Sequence, residues 1–150
     1  MLVGVLSDTH GALPHEVFDV FREVEHIVHA GDVGAQLVLD ELETIAPVTA
    51  VAGNMDFGEL ARTLPAVASL NLDGTVIMVA HKAAAVLKAA ESTDADLLIS
   101  GHTHVASVLH SGRLTLLDPG SVTQPRGGGP GTVALVETGG EEPLVRLVTL

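Results

Sequence analysis

Residues 1–10 constrain the fold more than any other stretch of the chain. Five of the first six are large and apolar, which suits a strand buried on both faces, and the run ends in Asp8 and His10. Residues two apart in an extended chain point to the same side. A carboxylate and an imidazole are therefore expected side by side at the C-terminal end of a buried strand, where open α/β sheets bind their ligands. Other apolar runs end in the same residue types: Ala30-Gly31-Asp32, Ala52-Gly53-Asn54, Val79-Ala80-His81 and Ser100-Gly101-His102-Thr103-His104.

Between these ends, the first half of the chain alternates strand and helix. Leu13, Val17, Val20, Phe21 and Val24 recur with helical period after the turn at Gly11-Ala12-Leu13-Pro14. Glu25 to Ala30 reads as a second strand. Ala35, Val38, Leu42 and Ile45 form the stripe of a second helix that Pro47 ends, and Val48 to Ala52 reads as a third strand. Such alternation implies a parallel sheet with right-handed crossovers. The second half begins with a hairpin, Val67 to Leu72 and Thr75 to Ala80, joined at Asp73-Gly74. A helix marked by Ala83, Val86, Leu87 and Ala90 follows, then strands over 95–100, 105–110 (turning at Ser111-Gly112), 114–117, 132–137 and 144–149, the last of these antiparallel. The expectation is one α/β domain over residues 1–150. Gly127-Gly128-Gly129-Pro130-Gly131 reads as a surface loop or as a lid over a site.

Composition removes several function classes. With no cysteine, disulfides, thiolate metal sites and cysteine nucleophiles are excluded, so any metal is held by nitrogen and oxygen. A formal charge of −12 with only seven Lys and Arg argues against an extensive nucleic-acid footprint, and three phenylalanines as the only aromatic residues give no stacking platform. No apolar run reaches the roughly 20 residues of a membrane span, and no basic segment precedes the first apolar stretch. A cytoplasmic protein without membrane attachment is expected, with the oligomeric state open and a homo-oligomer included.

The strand-end residues, taken in order, carry a family resemblance. Asp8-Thr9-His10, Gly31-Asp32, Gly53-Asn54-Met55-Asp56, His81 and Gly101-His102-Thr103-His104 resemble the five metal-binding motifs of the calcineurin-like metallophosphoesterases, in particular the small single-domain bacterial and archaeal phosphodiesterase branch. Asp118-Pro119-Gly120-Ser121 with Pro125-Arg126 is similar to that branch's Asn-Pro-Gly-Ser and following Pro-Arg. The resemblance implies a four-layer αββα sandwich of two mixed β-sheets, with the named residues on loops at one edge. It also implies a ligand set in which Asp8, His10, Asp32 and His104 hold one metal while Asp32, Asn54, His81 and His102 hold a second.

That set makes chemical sense. A shared carboxylate such as Asp32 keeps two cations close, and a metal pair can acidify a water and clamp the attacking and leaving oxygens of a phosphoryl group. The implied reaction is attack of a metal-bridging hydroxide on a small phosphate ester, with Asp32, Asn54 and His102 acting through the metals and no protein nucleophile. Imidazole and carboxamide ligands without thiolate suit two divalent transition ions, Mn first and Fe, Ni, Co or Zn as alternatives, better than Mg or Ca. The chain has neither a phosphate-cradling glycine loop followed by Lys-Ser or Lys-Thr nor a Gly-x-Ser-x-Gly elbow.

Three residues depart from the family pattern. Met55 stands where many members carry a histidine assigned as leaving-group acid. Lys82 follows His81 where the branch commonly has glycine, and adds a cation near the second metal. Asp118 replaces asparagine, exchanging N–H donors for acceptor oxygens when ionised. Elsewhere, His15 and His110 are expected on the surface and His26 in solvent. His29 suits a buried ring donating to a backbone carbonyl, or one orienting a ligand. Asp56 either orients the Asn54 loop or caps a turn, and Arg126 is either a phosphate contact or a structural cation.

Two functions follow from different classes. One is a dinuclear metal phosphoesterase, a phosphodiesterase rather than a monoesterase because Met55 leaves no obvious acid for a poor leaving group. The other is a metal-binding protein-interaction scaffold of the same fold, with weak or no catalysis. The complete ligand set favours the enzyme.

Overall fold

The computed structural model describes residues 1–150 as two stacked five-stranded sheets. In chain order the elements are β1 (Leu2–Leu6), α1 (His15–Val20), β2 (His26–His29), α2 (Gln36–Glu43), β3 (Val48–Ala50), α3 (Gly58–Thr63), β4 (Val67–Leu72), β5 (Thr75–Ala80), α4 (Ala83–Ala90), β6 (Leu97–Ile99), β7 (Ser107–Ser111), β8 (Leu114–Asp118), β9 (Thr132–Glu137) and β10 (Leu144–Thr149). One sheet has the order β10-β9-β1-β2-β3 and the other β4-β5-β6-β8-β7. Both are mixed. β1, β2 and β3 run parallel, as do β5, β6 and β8, while β9, β10, β4 and β7 are antiparallel additions.

The two-residue side-chain period sorts each central strand into an inner and an outer face. Val3, Val5, Val28, Ala134 and Val136 meet Ile77, Val79, Leu97, Ile99 and Leu117 in a cluster between the sheets. On the outside of the first sheet Leu6, Ile27, Val133 and Leu135 pack under Val17 and Phe21 at α1 and under Val38, Leu39 and Leu42 of α2. On the outside of the second sheet Met78, Ala80 and Leu98 pack under Val86 of α4. Burial on both faces explains why these strands read as unbroken apolar runs. The result is the expected four-layer sandwich.

Gly4 shows how tightly one outer layer closes. A Cβ built there would stand 2.9 Å from the Phe21 ring, closer than carbon atoms approach, so the fully buried aromatic fits only because β1 carries no side chain at that point. Truncating such a ring costs about 3–5 kcal/mol, and overfilling such a contact typically about 1–3 kcal/mol.

Several details differ from the sequence-based expectations. The hairpin at Asp73-Gly74 holds, with both residues at positive φ (54° and 85°), the pair that a type I′ turn demands. The turn between β7 and β8 falls one residue later than expected: Ser111 pairs with Leu114, leaving Gly112 (φ 60°) and Arg113 at the bend. β8 is not purely part of an antiparallel set, because its other edge runs parallel to β6. Helix α3 has no counterpart in the sequence reading; of its six residues only Leu60 is buried, so it shows no periodic stripe.

Candidate metal centre

Parallel strands from both sheets end at one edge, and their C-terminal loops carry all seven nominated ligands. β1 delivers Asp8 and His10, β2 delivers Asp32, β3 leads to Asn54, β5 to His81, and β6 to His102 and His104. Asp8, His10, Asp32, His102 and His104 all have positive φ, between 48° and 71°. Left-handed backbone is costly for residues with a Cβ and persists where surrounding structure enforces it, often at functional sites. The sixth such non-glycine residue is Asp73, in the I′ turn. This corrects the reason for the Asp8–His10 pairing. β1 stops at Leu6, and two left-handed turns, not strand alternation, bring His10 Nε2 within 3.8 Å of Asp8 Oδ1.

Two glycines allow the loops to approach this closely. A Cβ on Gly53 would lie 2.0 Å from Asp32 Oδ1, and one on Gly101 would lie 1.9 Å from Ser7 Oγ. At Gly31 (φ 95°) the absent side chain makes room for the His81 ring, 2.7 Å from where a Cβ would stand.

Five side chains converge. Asp8 Oδ1 lies 3.1 Å from His104 Nε2, 3.8 Å from His10 Nε2 and 3.9 Å from His81 Nε2. Asp32 Oδ2 lies 3.2 Å from His81 Nε2 and 3.9 Å from His10 Nε2. His10 and His104 approach through their Nε2 atoms at 3.5 Å. Two overlapping groups, Asp8 with His10 and His104, and Asp8 with Asp32 and His81, each offer donor atoms within 4.8 Å of one another. Asn54 and His102 belong to neither group. Both are exposed at the rim, the His102 ring 5.2 Å from that of His81 in an edge-on arrangement.

The hydrogen-bond pattern around this cluster fits a cation. His81 Nδ1 meets the Ala30 carbonyl at 2.8 Å and His104 Nδ1 meets the Gln124 carbonyl at 2.7 Å. A carbonyl only accepts, so each Nδ1 carries a proton and each ring directs its Nε2 toward the carboxylates. In the singly protonated ring that nitrogen is a lone pair, and a cation between it and the carboxylate would relieve their repulsion. Asp8 Oδ1 and His81 Nε2 are the two buried side-chain polar atoms with no hydrogen-bond partner. Orphaned buried acceptors are costly, and a bound metal would satisfy both.

Surrounding residues fix the ligands. Asp8 Oδ2 accepts from Ser7 Oγ at 2.6 Å and from the His102 amide at 3.0 Å, leaving Oδ1 for the centre. Asp32 Oδ1 accepts from the Met55 amide at 2.8 Å, so the Met55 backbone supports the site while its side chain is exposed. Asp56 performs both roles expected of it: Oδ2 takes the Gly53 amide of its own loop (2.8 Å), and the carboxylate also takes the amides of Val33 and Gly34, tying the Asn54 loop to the Asp32 loop. Asp118 accepts from Thr103 Oγ at 2.6 Å and from the Gly120 amide at 2.9 Å, so it holds the residue between His102 and His104. Burial raises the Asp118 pKa, against those two hydrogen bonds. Ser121 Oγ donates to the Asp8 carbonyl, and Arg126 Nε donates to the Thr103 carbonyl, a structural role for part of its guanidinium. Ser7 and Thr103 were missed by the sequence reading, since neither residue type marks a ligand scaffold by itself.

The remaining histidines sort clearly. His15 and His110 are exposed as expected, and His26 is half-buried, 2.8 Å from Thr49 Oγ1. His29 is fully buried but does not donate to a carbonyl. Its Nδ1 accepts the Gly31 amide at 3.2 Å, which leaves Nε2–H to donate to Thr9 Oγ1 at 3.0 Å, while Thr9 donates onward to the Val33 carbonyl. Burial lowers its pKa to about 4. No helix in the molecule is long and apolar enough to cross a membrane.

Comparison with known proteins identifies the family and the fold. A "Probable metallophosphoesterase" of Methanothermobacter thermautotrophicus is 38% identical over 149 residues, spanning 90% of this chain and 85% of the relative. The solved structure of a novel archaeal phosphodiesterase superposes with a TM-score of 0.80 at 26% identity, covering 99% of this chain and all (100%) of that one. The fold is also that of Vps29 from Entamoeba histolytica, solved in complex with zinc, at TM-score 0.80 and 22% identity, with 99% of each chain covered. The model of the calcineurin-like phosphoesterase superfamily domain matches residues 1–141. With the fold, the loop positions and this match in agreement, the chain belongs to the calcineurin-like phosphoesterase superfamily.

Proposed function

We propose that the protein is a cytoplasmic, dinuclear metal-dependent phosphodiesterase acting on small phosphate esters, with manganese as the working metal. The observation that carries this reading is the pair of orphaned buried atoms, Asp8 Oδ1 and His81 Nε2, 3.9 Å apart and grouped with the Asp32 carboxylate. Asp8, His10, Asp32 and His104 would hold one ion, and Asp32, His81, Asn54 and His102 a second, so that Asp32, near both His10 and His81, would be common to the two. When bound, a pair of divalent ions supplies an acidified water as nucleophile and neutralises charge on the phosphoryl oxygens.

This chain's residues supply the rest. Ala30 and Gln124 carbonyls lock the His81 and His104 tautomers, so both rings present a lone pair without a competing proton. Ser7 and the His102 amide fix the rotation of Asp8. The exposed Met55 side chain has no proton to donate, which favours diesters with acidic leaving alcohols over alkyl monoesters.

The test is to load the protein with Mn²⁺ and assay bis(4-nitrophenyl) phosphate beside 4-nitrophenyl phosphate. The expected result is preferential diester hydrolysis that EDTA abolishes and Mn²⁺ restores. Hydrolysis of neither ester by protein shown to contain metal would overturn the enzymatic reading and leave the scaffold.

A further inference from the structure

The roomiest cavity, about 330 Å³, opens beside the candidate metal centre and shares His81 and Asn54 with it. Ala52, Ala66 and Ala85 line it with methyl groups. No Phe, Tyr or Trp side chain lines it, and the volume suits one compact group rather than an extended chain. Through His81 and Asn54 it adjoins the place where the candidate centre would hold a phosphoryl group.

Charge at the cavity is opposite to that of the protein as a whole. Lys82 lines it, is exposed, and makes no ion pair with any carboxylate, in a chain of net charge −12. It also occupies the N-cap of α4, where no side chain caps the helix.

We propose that this cavity is the subsite for one ester arm of the substrate, and that the preferred arm is compact and carries its own negative charge, held beside Lys82. The carboxylate or second phosphate that would supply this charge shares the same chemistry at the Lys82 ammonium. The inference rests on the phosphoesterase reading and adds the class of substrate: an anionic-armed phosphodiester. Lys82 is the specificity-determining residue.

Binding separates this from catalysis. The probes are monomethyl arylphosphonates, which mimic a diester but keep a carbon–phosphorus bond, carrying at the ring's 3-position a carboxamide, a carboxylate or a phosphonate. Monomethyl methylphosphonate serves as the armless control. Calorimetry on the Mn²⁺-loaded protein should show the carboxylate probe binding about fivefold tighter than its carboxamide isostere, the size expected of one exposed charge pair. The phosphonate probe then tells which anion the rim prefers. Lys82→Gln should erase the carboxylate preference without weakening the carboxamide probe, Lys82→Arg should keep it, and 0.5 M salt should reduce it. Ala66→Leu, filling the cavity, should weaken every aryl probe while sparing the armless control.

Equal binding of the carboxylate and carboxamide probes to the wild type, or a preference that survives Lys82→Gln, would overturn the subsite while leaving the phosphoesterase reading intact. Failure of all four probes, the armless control included, would overturn both.

Discussion

His81 Nε2 stands 3.2 Å from Asp32 Oδ2, while the other nitrogen of the same ring donates to the Ala30 carbonyl at 2.8 Å. The two contacts are incompatible with an ordinary hydrogen bond at both ends of a neutral imidazole, because the single ring proton is already committed to the carbonyl. A cation between nitrogen and carboxylate resolves the conflict. The same reasoning applies to His104, whose Nδ1 meets Gln124 while Nε2 faces Asp8.

Ser7 offers a test at a residue that touches no metal in this account. Its hydroxyl and the His102 amide together occupy Asp8 Oδ2. Ser7→Ala removes one of the two groups that hold the carboxylate in place, and outer-shell losses of this kind typically cost about 10- to 100-fold in metal affinity. Calorimetric Mn²⁺ titration should show weakened binding with an unchanged fold by circular dichroism. Wild-type affinity in Ser7→Ala would show that the hydroxyl does not position Asp8.

His29 gives the metal-free protein a pH-dependent stability. Its pKa is about 4 when folded, against 6.5 for a solvated imidazole, because burial disfavours the charged ring. Above pH 6.5 both states are neutral and the stability is fully present. As pH falls the unfolded chain takes up the proton first, so stability is lost progressively from 6.5 down to about 4. The linkage amounts to roughly 2 kcal/mol between pH 7 and pH 5. Urea unfolding in EDTA should show that loss, and His29→Gln should flatten it. An unchanged slope in the variant would mean that other groups carry the dependence.

Met55 concerns the leaving group. Its side chain is exposed, and its amide, which any residue supplies, holds Asp32. Met55→His should therefore keep the support and add a proton donor. General acid catalysis typically contributes about 100- to 10,000-fold, and the gain should concentrate on alkyl esters while nitrophenyl esters change little. Rates across a leaving-group series check this. Parallel dependence for wild type and variant would show that no acid is missing.

The strands and the site loops were legible in the sequence because the same residues carry both signals. An apolar run buried on two faces ends in a carboxylate or imidazole, and the ligand loops of β1, β2, β5 and β6 all fall where those runs stop. What could not be read depends on contacts between distant residues. The left-handed turns at Asp8 and His10 replace the strand geometry that predicted their pairing, and nothing local marks them. Thr103 with Asp118 and His29 with Thr9 are hydrogen bonds between separated residues whose types are equally at home on a surface, and the Ser7–Asp8 bond between neighbours carries no pattern of its own. The parallel pairing of β8 with β6 follows from the assembled sheet, not from the hairpin that β8 shares with β7.

Asp32 carries the central claim, since it is the proposed link between two metal positions. Metal analysis by mass spectrometry on Mn²⁺-saturated, desalted protein should find two ions per chain in the wild type, about one in His81→Ala, and none in Asp32→Ala. Two ions retained in the Asp32→Ala protein, or a wild type that holds a single ion at saturation, would contradict a dinuclear centre built on this carboxylate.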